Sequence, residues 1–332
     1  MTQEHPFAVF VRTLGKGRQG SRALSIDEAQ TAMRMILAGE VEPEQLGAFL
    51  MLMRVKEETP EELAGFVLAA RERIVLPSPA PAVRLDWSSY AGKRRQLPWF
   101  ILSALLLASH GVSVFMHGEG GREDGRVYTP EALASLGIPS ATAVAEAAEH
   151  LRERHFAFMP LEALSPVLHR LMGMRPILGL RSPVNTVARM LNPLRAPVMV
   201  QGIFHPGYRD LHQLAAQLMQ QPHLAVLKGE GGEIERNPDA ACLVKSVHDG
   251  VLSEEEWPAL FDNRHVKDEG MDVSRLGAVW RGEDHDEYGV AAVTGTAAIA
   301  LRALGMADSV DAAQTLAGEL WSRRQVNWLP AV

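Results

Sequence analysis

The sequence is short of cysteine, of aromatic side chains and, over two long stretches, of acidic residues. Cys242 is the single cysteine among 332 residues, which excludes a disulfide framework and a zinc site of the cysteine-rich type. Residues 1–20 lack the apolar run of a signal peptide. The most apolar window, residues 97–116, is interrupted by proline, serine, histidine and glycine, so it predicts a buried helix and strand, not a membrane span. We therefore expect a reducing, cytoplasmic protein.

Acidic residues are missing where arginine is frequent. No acid lies between Asp86 and Glu119, and none between Glu162 and Asp210. The first interval holds Lys93, Arg94 and Arg95, and the second holds Arg170, Arg175, Arg181, Arg189, Arg195 and Arg209, with His169 and His205. A guanidinium group without a local carboxylate matches the geometry of phosphate. The intervals therefore predict a phosphate-binding surface, and the alternative is that individual arginines pair with acids from distant segments.

The overall charge limits how such a surface can be used. The formal net charge is −7, which argues against a protein that coats nucleic acid with its whole surface. Residues 1–252 hold 26 basic and 26 acidic residues, whereas residues 253–332 hold 7 and 14. The acidic excess therefore lies in the last quarter of the chain, and a local basic groove is compatible with the composition.

The first eighty residues predict a helical domain. Residues 25–28 and 59–62 are capping boxes, and the helices that they open have apolar faces rich in leucine and methionine. Prolines within residues 77–81 indicate a stiff linker. We predict that residues 1–80, joined by helices from about 160–190, form a helical dimerisation domain, and that residues 83–332 form a second domain.

The second domain alternates strands and helices. Apolar strand patterns occur at residues 82–87, 112–116, 196–202 and 224–227, and helical patterns occur at 98–109, 129–136, 208–220, 290–304 and 310–321. Such alternation is typical of a parallel sheet covered on both faces. The predicted class is α/β with an N-terminal all-helical domain and a mostly parallel central sheet flanked by helices.

Several short motifs carry a family resemblance. They are Ile-Asp-Glu-Ala at residues 26–29, His-Gly at 117–118, Glu-Ala-Leu-Ala-Ser-Leu-Gly-Ile at 131–138, and Arg175 ahead of Leu-Asn-Pro at 191–193. From about residue 24 to residue 320 the chain resembles the anthranilate phosphoribosyltransferase family and its nucleoside phosphorylase relatives. The resemblance implies a small helical domain, a hinge, a large α/β domain and a homodimer formed through the helical domain. It also implies a pocket at Tyr90, Gly92, His117, Gly118, Glu119 and Arg175.

The chain departs from that family at the positions that would contact substrate. The family has a phosphate-binding loop Gly-Thr-Gly-Gly-Asp, whereas residues 89–93 here are Ser-Tyr-Ala-Gly-Lys. Glu119 replaces an asparagine that meets anthranilate, and a carboxylate there would repel the carboxylate of that substrate. The magnesium-binding Asp-Glu pair is replaced by Glu230, Glu233 and Glu235 in another register. These differences argue against the anthranilate reaction.

Three groups of cations are candidates for binding phosphate. Lys93, Arg94 and Arg95 precede a predicted helix N-terminus, which favours an anion. A second group, Arg181, Asn185 and Arg189, recurs at four-residue spacing, which on a helix would form one face that Arg195 and Arg209 extend. The third is Lys16 and Arg18 in a glycine-rich loop. The respective alternatives are a solvated loop, a helix that joins the domains and a mobile segment.

The leading hypothesis is a homodimer that binds nucleic acid, DNA or RNA, without sequence preference, cofactor or catalytic residue. Aromatic residues make up 6% of the chain, and Tyr90 is a candidate for stacking on a base. The alternative is a phosphoribosyl- or glycosyl-transferase that uses phosphoribosyl diphosphate with Mg²⁺ held by Glu230, Glu233 or Glu235, and an acceptor other than anthranilate. A dimer that binds only other proteins is a third possibility.

Overall fold

The computed structural model describes residues 4–17, 19–121, 125–266, 268 and 270–330. Its helices are α1 Ala8–Gly15, α2 Ile26–Ala38, α3 Pro43–Lys56, α4 Pro60–Glu72, α5 Phe100–Ser109, α6 Thr129–Ser135, α7 Val144–Arg154, α8 Leu161–Leu164, α9 Pro166–Met172, α10 Arg175–Leu178, α11 Val184–Arg189, α12 Tyr208–Leu218, α13 Ser274–Arg281, α14 Glu287–Ala303 and α15 Val310–Ser322. Its strands are β1 Leu85–Ser89, β2 Val114–Gly118, β3 Phe156–Pro160, β4 Val198–Ile203, β5 His223–Lys228, β6 Cys242–His248 and β7 Val251–Trp257.

The N-terminal helices begin where the capping boxes predict. The Ser25 hydroxyl accepts the N–H of Glu28 at the start of α2, and Thr59 accepts the N–H of Glu62 at the start of α4. The carboxylate of each glutamate accepts the N–H of its capping residue, so two backbone donors are satisfied at the start of each helix. These helices bury apolar faces in a core that also includes residues of α9 and α11.

A single sheet organises the rest of the chain. Its strand order is β3-β2-β1-β4-β5-β6-β7, with β1 to β5 parallel and β6 and β7 antiparallel. Helices cover both faces, and two apolar cores lie on the two sides of the sheet. The predicted fold class is confirmed. Strand β3 and the hairpin of β6 and β7 were not predicted. Strand β3 is a short apolar run, which periodicity alone does not distinguish from a buried helix segment, and β6 and β7 are partly polar and partly exposed.

The parallel register fixes where ligands can meet the sheet. Leu85 at the start of β1 pairs with both Val114 and Val198, so β1, β2 and β4 start at one level and end at the same edge. In open α/β sheets the crevice beyond the carboxyl ends of the strands is the usual ligand site. No helix in the described ranges is long and apolar enough to cross a membrane.

Candidate functional site

Three adjoining cavities lie along the carboxyl edge of the sheet. The tyrosine cavity has a volume of about 470 Å³ and is lined by Tyr90, Tyr128, Glu119, Arg175, Arg181 and Asn185, among others. The arginine cavity has a volume of about 490 Å³ and is lined by Arg94, Arg95, Arg126, Lys228, Phe204 and Glu230, among others. The connecting cavity, of about 140 Å³, shares Arg181 and Asn185 with the first and Phe204 and His205 with the second. Because the cavities adjoin through these shared residues, we refer to the three together as the groove.

A buried relay positions Tyr90 in the tyrosine cavity. Its hydroxyl lies 2.7 Å from Nδ1 of His117, and Nε2 of His117 lies 3.4 Å from Oδ2 of Asp86. His117 is completely buried in β2 and its ring stacks on Phe115. Burial, reinforced by the charges of Asp86 and Glu119, raises the pKa of Tyr90 well above its usual value. The phenol therefore stays protonated and serves as a hydrogen-bonding group.

Acidic and basic groups meet in the tyrosine cavity. Glu119 lies there with Arg175 and Arg181, and its Oε1 is 3.1 Å from Nδ1 of His169. The acid-free interval of the sequence is therefore not an acid-free cavity, because Glu119 follows β2 and the arginines follow α9. Of the predicted pocket residues, Tyr90, Glu119 and Arg175 line the tyrosine cavity, whereas His117 and Gly118 lie behind it in β2. Gly92 is buried against the ring of Tyr128, which also lines that cavity.

The arginine cavity is more basic than the tyrosine cavity. Arg94 and Arg95 are exposed, and neither side chain has a hydrogen-bond or ion-pair partner among the residues that the structure describes. Lys228 is also exposed, at the end of β5. Arg126 donates to the carbonyl oxygens of Ala91 and Gly92, at 2.9 and 3.2 Å. Glu230 is the single acidic residue that the described lining contains.

Lys93 corrects the prediction of three open cations in a row. It is only 2% exposed, and its ammonium group forms an ion pair with the fully buried carboxylate of Glu235. The carboxylate of Glu235 also accepts the N–H of Phe100 at 2.9 Å. A cation whose charge is already neutralised inside the protein cannot bind an external phosphate. The predicted triplet therefore offers two cations, Arg94 and Arg95.

The carboxylate of Glu233 binds backbone N–H groups of the loop that follows β1. Its Oε1 accepts the N–H groups of both Ala91 and Gly92, each at 2.6 Å. Burial raises the pKa of Glu233, and these two bonds and the charge of Arg189 oppose that rise. A Cβ on Gly229 would lie 1.5 Å from the carbonyl oxygen of Glu233, so only glycine allows the turn to bring Glu233 this close.

The three glutamates do not fit a magnesium ion. Glu233 is bound to backbone amides and Glu235 to Lys93, while Glu230 lies at the arginine cavity 3.4 Å from the side-chain nitrogen of Asn237. No group of three or more potential metal ligands occurs in the described part of the chain. Magnesium needs oxygen ligands that converge in near-octahedral geometry. The predicted alternative of an ion held by these residues is therefore corrected.

The structure brings Arg181, Asn185 and Arg189 together, although not on one helix face as predicted. Helix α11 begins at Val184, so Arg181 precedes it. All three residues nevertheless line the connecting cavity. Arg189 donates to the carbonyl oxygen of Asn185, and burial lowers its pKa while the carboxylate of Glu233 opposes this. The row is therefore a cluster at the junction of the cavities.

Other predicted cations lie apart from the groove. Arg195 precedes β4 and donates to the carbonyl oxygen of Arg71, at the opposite edge of the sheet. Arg209 donates to the carbonyl oxygen of Leu243 and is absent from the described linings of the three cavities. Lys16 is exposed just after α1 and is likewise outside these linings. Arg18 lies outside the described residues. The predicted extension of the basic track through Arg195 is therefore wrong.

Sequence reasoning missed Phe204, Lys228 and the structural role of Arg126. Phe204 follows β4 directly, and Lys228 is the last residue of β5. Parallel strands end at the same edge of a sheet, where ligands usually bind. The positions of Phe204 and Lys228 at the ends of two predicted strands could therefore have identified them as site residues. Arg126 is far from residues 91–92 in sequence, and its hydrogen bonds join its loop to them.

Comparison with known proteins agrees with this architecture. The helical bundle domain of a glycosyl transferase family matches residues 10–74, and the a/b domain of that family matches residues 101–322. An uncharacterized protein of Aquifex aeolicus is 30% identical over 87% of this chain and 90% of its own length. The anthranilate phosphoribosyltransferase of Bordetella avium is 28% identical over 90% of this chain and 89% of its own length.

Solved structures share the fold. The anthranilate phosphoribosyltransferase of Thermus thermophilus superposes with a TM-score of 0.78 at 21% identity, over 99% of this chain and 100% of that chain. The enzyme of Saccharomyces cerevisiae in complex with PRPP and Mg gives a TM-score of 0.77 at 15% identity, over 96% of this chain and 94% of that chain.

The fold and the matched domains define a glycosyl transferase family protein with a helical bundle and an α/β domain. Within that family the chain belongs to the anthranilate phosphoribosyltransferase-like proteins, of which it is a divergent member.

Proposed function

We propose that this phosphoribosyltransferase-fold protein binds the phosphate backbone of nucleic acid, without sequence preference and without the anthranilate reaction. The observation that carries the proposal is the groove of three adjoining cavities, each of which is lined by arginine. Arg94, Arg95 and Lys228 are exposed at one end, and Arg175 and Arg181 line the other. A chain of phosphates can contact cations at both ends, whereas a compact ligand occupies one cavity.

The occupied amides of Ala91 and Gly92 support the same proposal. Phosphate binding by a backbone loop requires free N–H groups, and both are already bonded to Glu233. A diphosphate would have to displace a buried carboxylate that a glycine turn holds in place. Phosphate contacts are therefore directed to the side chains that open into the groove.

Fluorescence anisotropy with labelled single- and double-stranded oligonucleotides tests the proposal. With about five phosphate contacts, we expect affinity to fall roughly 500-fold between 50 and 200 mM salt. The double variant R94A/R95A should weaken binding and reduce the slope of log affinity against log salt by about 1.4–1.8. The matched control R195A, which removes a cation at the opposite edge of the sheet, should leave the slope unchanged. Absence of binding at low salt, or binding that salt does not affect, would rule the proposal out.

The alternative function is phosphoribosyl or glycosyl transfer to an acceptor other than anthranilate. Family membership favours it, whereas the engaged carboxylates of Glu233 and Glu235 oppose it. Isothermal titration calorimetry with phosphoribosyl diphosphate and Mg²⁺ separates the two functions. Micromolar binding of that ligand, together with no binding of oligonucleotides, would favour the transferase.

Homodimerisation through the helical domain is part of the proposal, since two copies would place two grooves in one particle. Sedimentation velocity of the full chain tests it. A particle of about twice the chain mass of 36.3 kDa is expected. A dimer that binds neither oligonucleotide nor phosphoribosyl diphosphate would instead favour a protein that binds only other proteins.

A further inference from the structure

Phe204 is a solvent-exposed aromatic side chain that lines the arginine cavity. It follows β4, and 60% of its surface is exposed. No other phenylalanine, tyrosine or tryptophan in the described part of the chain is among the exposed large hydrophobic residues. Single exposed apolar residues are common on protein surfaces. Phe204 differs from them in its position, because it lines both the arginine cavity and the connecting cavity.

The ring of Phe204 lies beside Gly232 and His205. Gly232, whose φ is +90°, packs under it so closely that a Cβ on Gly232 would meet the Cβ of Phe204 at 3.3 Å. The ring contacts His205 edge to face, with centroids 4.9 Å apart and planes at 85°. A phenylalanine has only two rotatable side-chain bonds. A partner that stacks on the ring therefore loses little conformational entropy in ordering it.

The charges around Phe204 indicate the kind of partner. Arg94, Arg95 and Lys228 line the same cavity and are exposed, so an aromatic surface stands among cations. A duplex presents phosphates but keeps its base faces stacked inside the helix. A single strand presents phosphates and open base faces together. A second copy of this acidic chain supplies no comparable pairing of negative charge with planar rings.

We propose that Phe204 is a stacking platform for a base of a single-stranded nucleic acid whose adjacent phosphates bind Arg94, Arg95 and Lys228. The inference rests on the proposed binding function and adds to it the strand form of the ligand. It assigns base contact to the mouth of the arginine cavity, whereas the sequence had offered Tyr90, which lies half-buried in the tyrosine cavity.

The test compares four proteins, wild type, Phe204→Ala, Phe204→Trp and Val251→Ala, on three labelled probes of equal length. The probes are a single strand of thymidines, the same strand with abasic sites and a duplex. Val251 is a matched control because it is an exposed apolar side chain, 66% accessible, on β7 outside the groove. Fluorescence anisotropy at fixed salt gives the affinities, and sedimentation velocity gives the oligomeric state of each variant.

Phe204→Ala is expected to weaken binding of the thymidine strand by about 5- to 150-fold, which corresponds to the range for loss of one stacked base. Its affinity for the abasic strand and the duplex should stay within twofold of wild type. Phe204→Trp keeps an aromatic ring, so it should bind the thymidine strand as tightly as the wild type. Equal loss on all three probes, or no loss on any, overturns the inference. A changed oligomeric state of Phe204→Ala also overturns it, because the ring would then belong to an interface between copies.

The double variant R94A/R95A distinguishes failure of this inference from failure of the binding function. If R94A/R95A weakens all three probes while Phe204→Ala weakens none, phosphate binding stands and base stacking on Phe204 is wrong. If the wild type binds no probe at low salt, the proposed function itself is wrong and the inference falls with it.

Discussion

Lys93 and Glu235 form an ion pair inside the protein, with side-chain exposures of 2% and 0%. The lysine follows the loop after β1, and the glutamate follows the turn after β5. The pair therefore ties together two loops at the carboxyl edge of the sheet. It also explains why a run of three consecutive cations in the sequence yields two open arginines.

Removal of Lys93 should destabilise the protein. Lys93→Met leaves the carboxylate of Glu235 buried without its cation, which is expected to cost about 3–5 kcal/mol of unfolding free energy. Urea unfolding followed by circular dichroism measures it. The double variant K93M/E235L removes both charges and should recover most of the loss. If the double variant is as unstable as Lys93→Met, the cost does not come from the unpaired charge.

Removal of the Glu233 carboxylate should open the amides of residues 91 and 92. Glu233→Ala frees the N–H groups of Ala91 and Gly92, so this variant is expected to gain binding of inorganic diphosphate, measured by isothermal titration calorimetry. Glu256→Ala is the control, because it removes an exposed acid of β7 that lies outside the described linings of the three cavities. Diphosphate binding by wild type as strong as that of Glu233→Ala would show that the carboxylate does not block the loop.

His212 should make the fold sensitive to acid. It is buried against Gln201, with Nδ1 2.6 Å from Oε1, and burial, assisted by the charge of Arg189, lowers its pKa to about 3. The unfolded chain binds a proton near the ordinary histidine pKa of about 6.5, so this residue lowers stability as pH falls from there towards 3. Between pH 7 and pH 4, the Tm of the wild type should therefore fall further than the Tm of His212→Gln. Parallel Tm curves for the two proteins would contradict the low pKa.

Gly232 should be intolerant of any side chain. At a φ of +90° a non-glycine residue is strained, and a Cβ would press on Phe204 and Ala91 at 3.3 and 3.4 Å. Gly232→Ala is expected to lose about 1–3 kcal/mol of unfolding free energy, measured in urea. Gly207→Ala is the control, because a Cβ there meets nothing within 4 Å and the backbone is helical. Equal stability of the two variants would mean that the turn relaxes without cost.

Local signals in the sequence were sufficient for the helices and for the class of fold. The capping residues Ser25 and Thr59 marked two helix starts, since a hydroxyl that bonds a backbone N–H acts within one turn. The alternation of apolar strands and helices predicted the parallel sheet. The hairpin of β6 and β7 escaped prediction because its stability comes from pairing with β5, which one strand does not encode.

The sequence by itself determined where the cations are along the chain and that no acid lies near them in sequence. Only the tertiary structure decided which of them stay open. Glu235 is 142 positions from Lys93 and Glu233 is 142 positions from Ala91, yet the order of strands brings these residues into contact. Charge neutralisation depends on distance in space, which β1, β4 and β5 set by lying side by side. The same strand order leaves Arg94, Arg95 and Phe204 together at the open end of the groove.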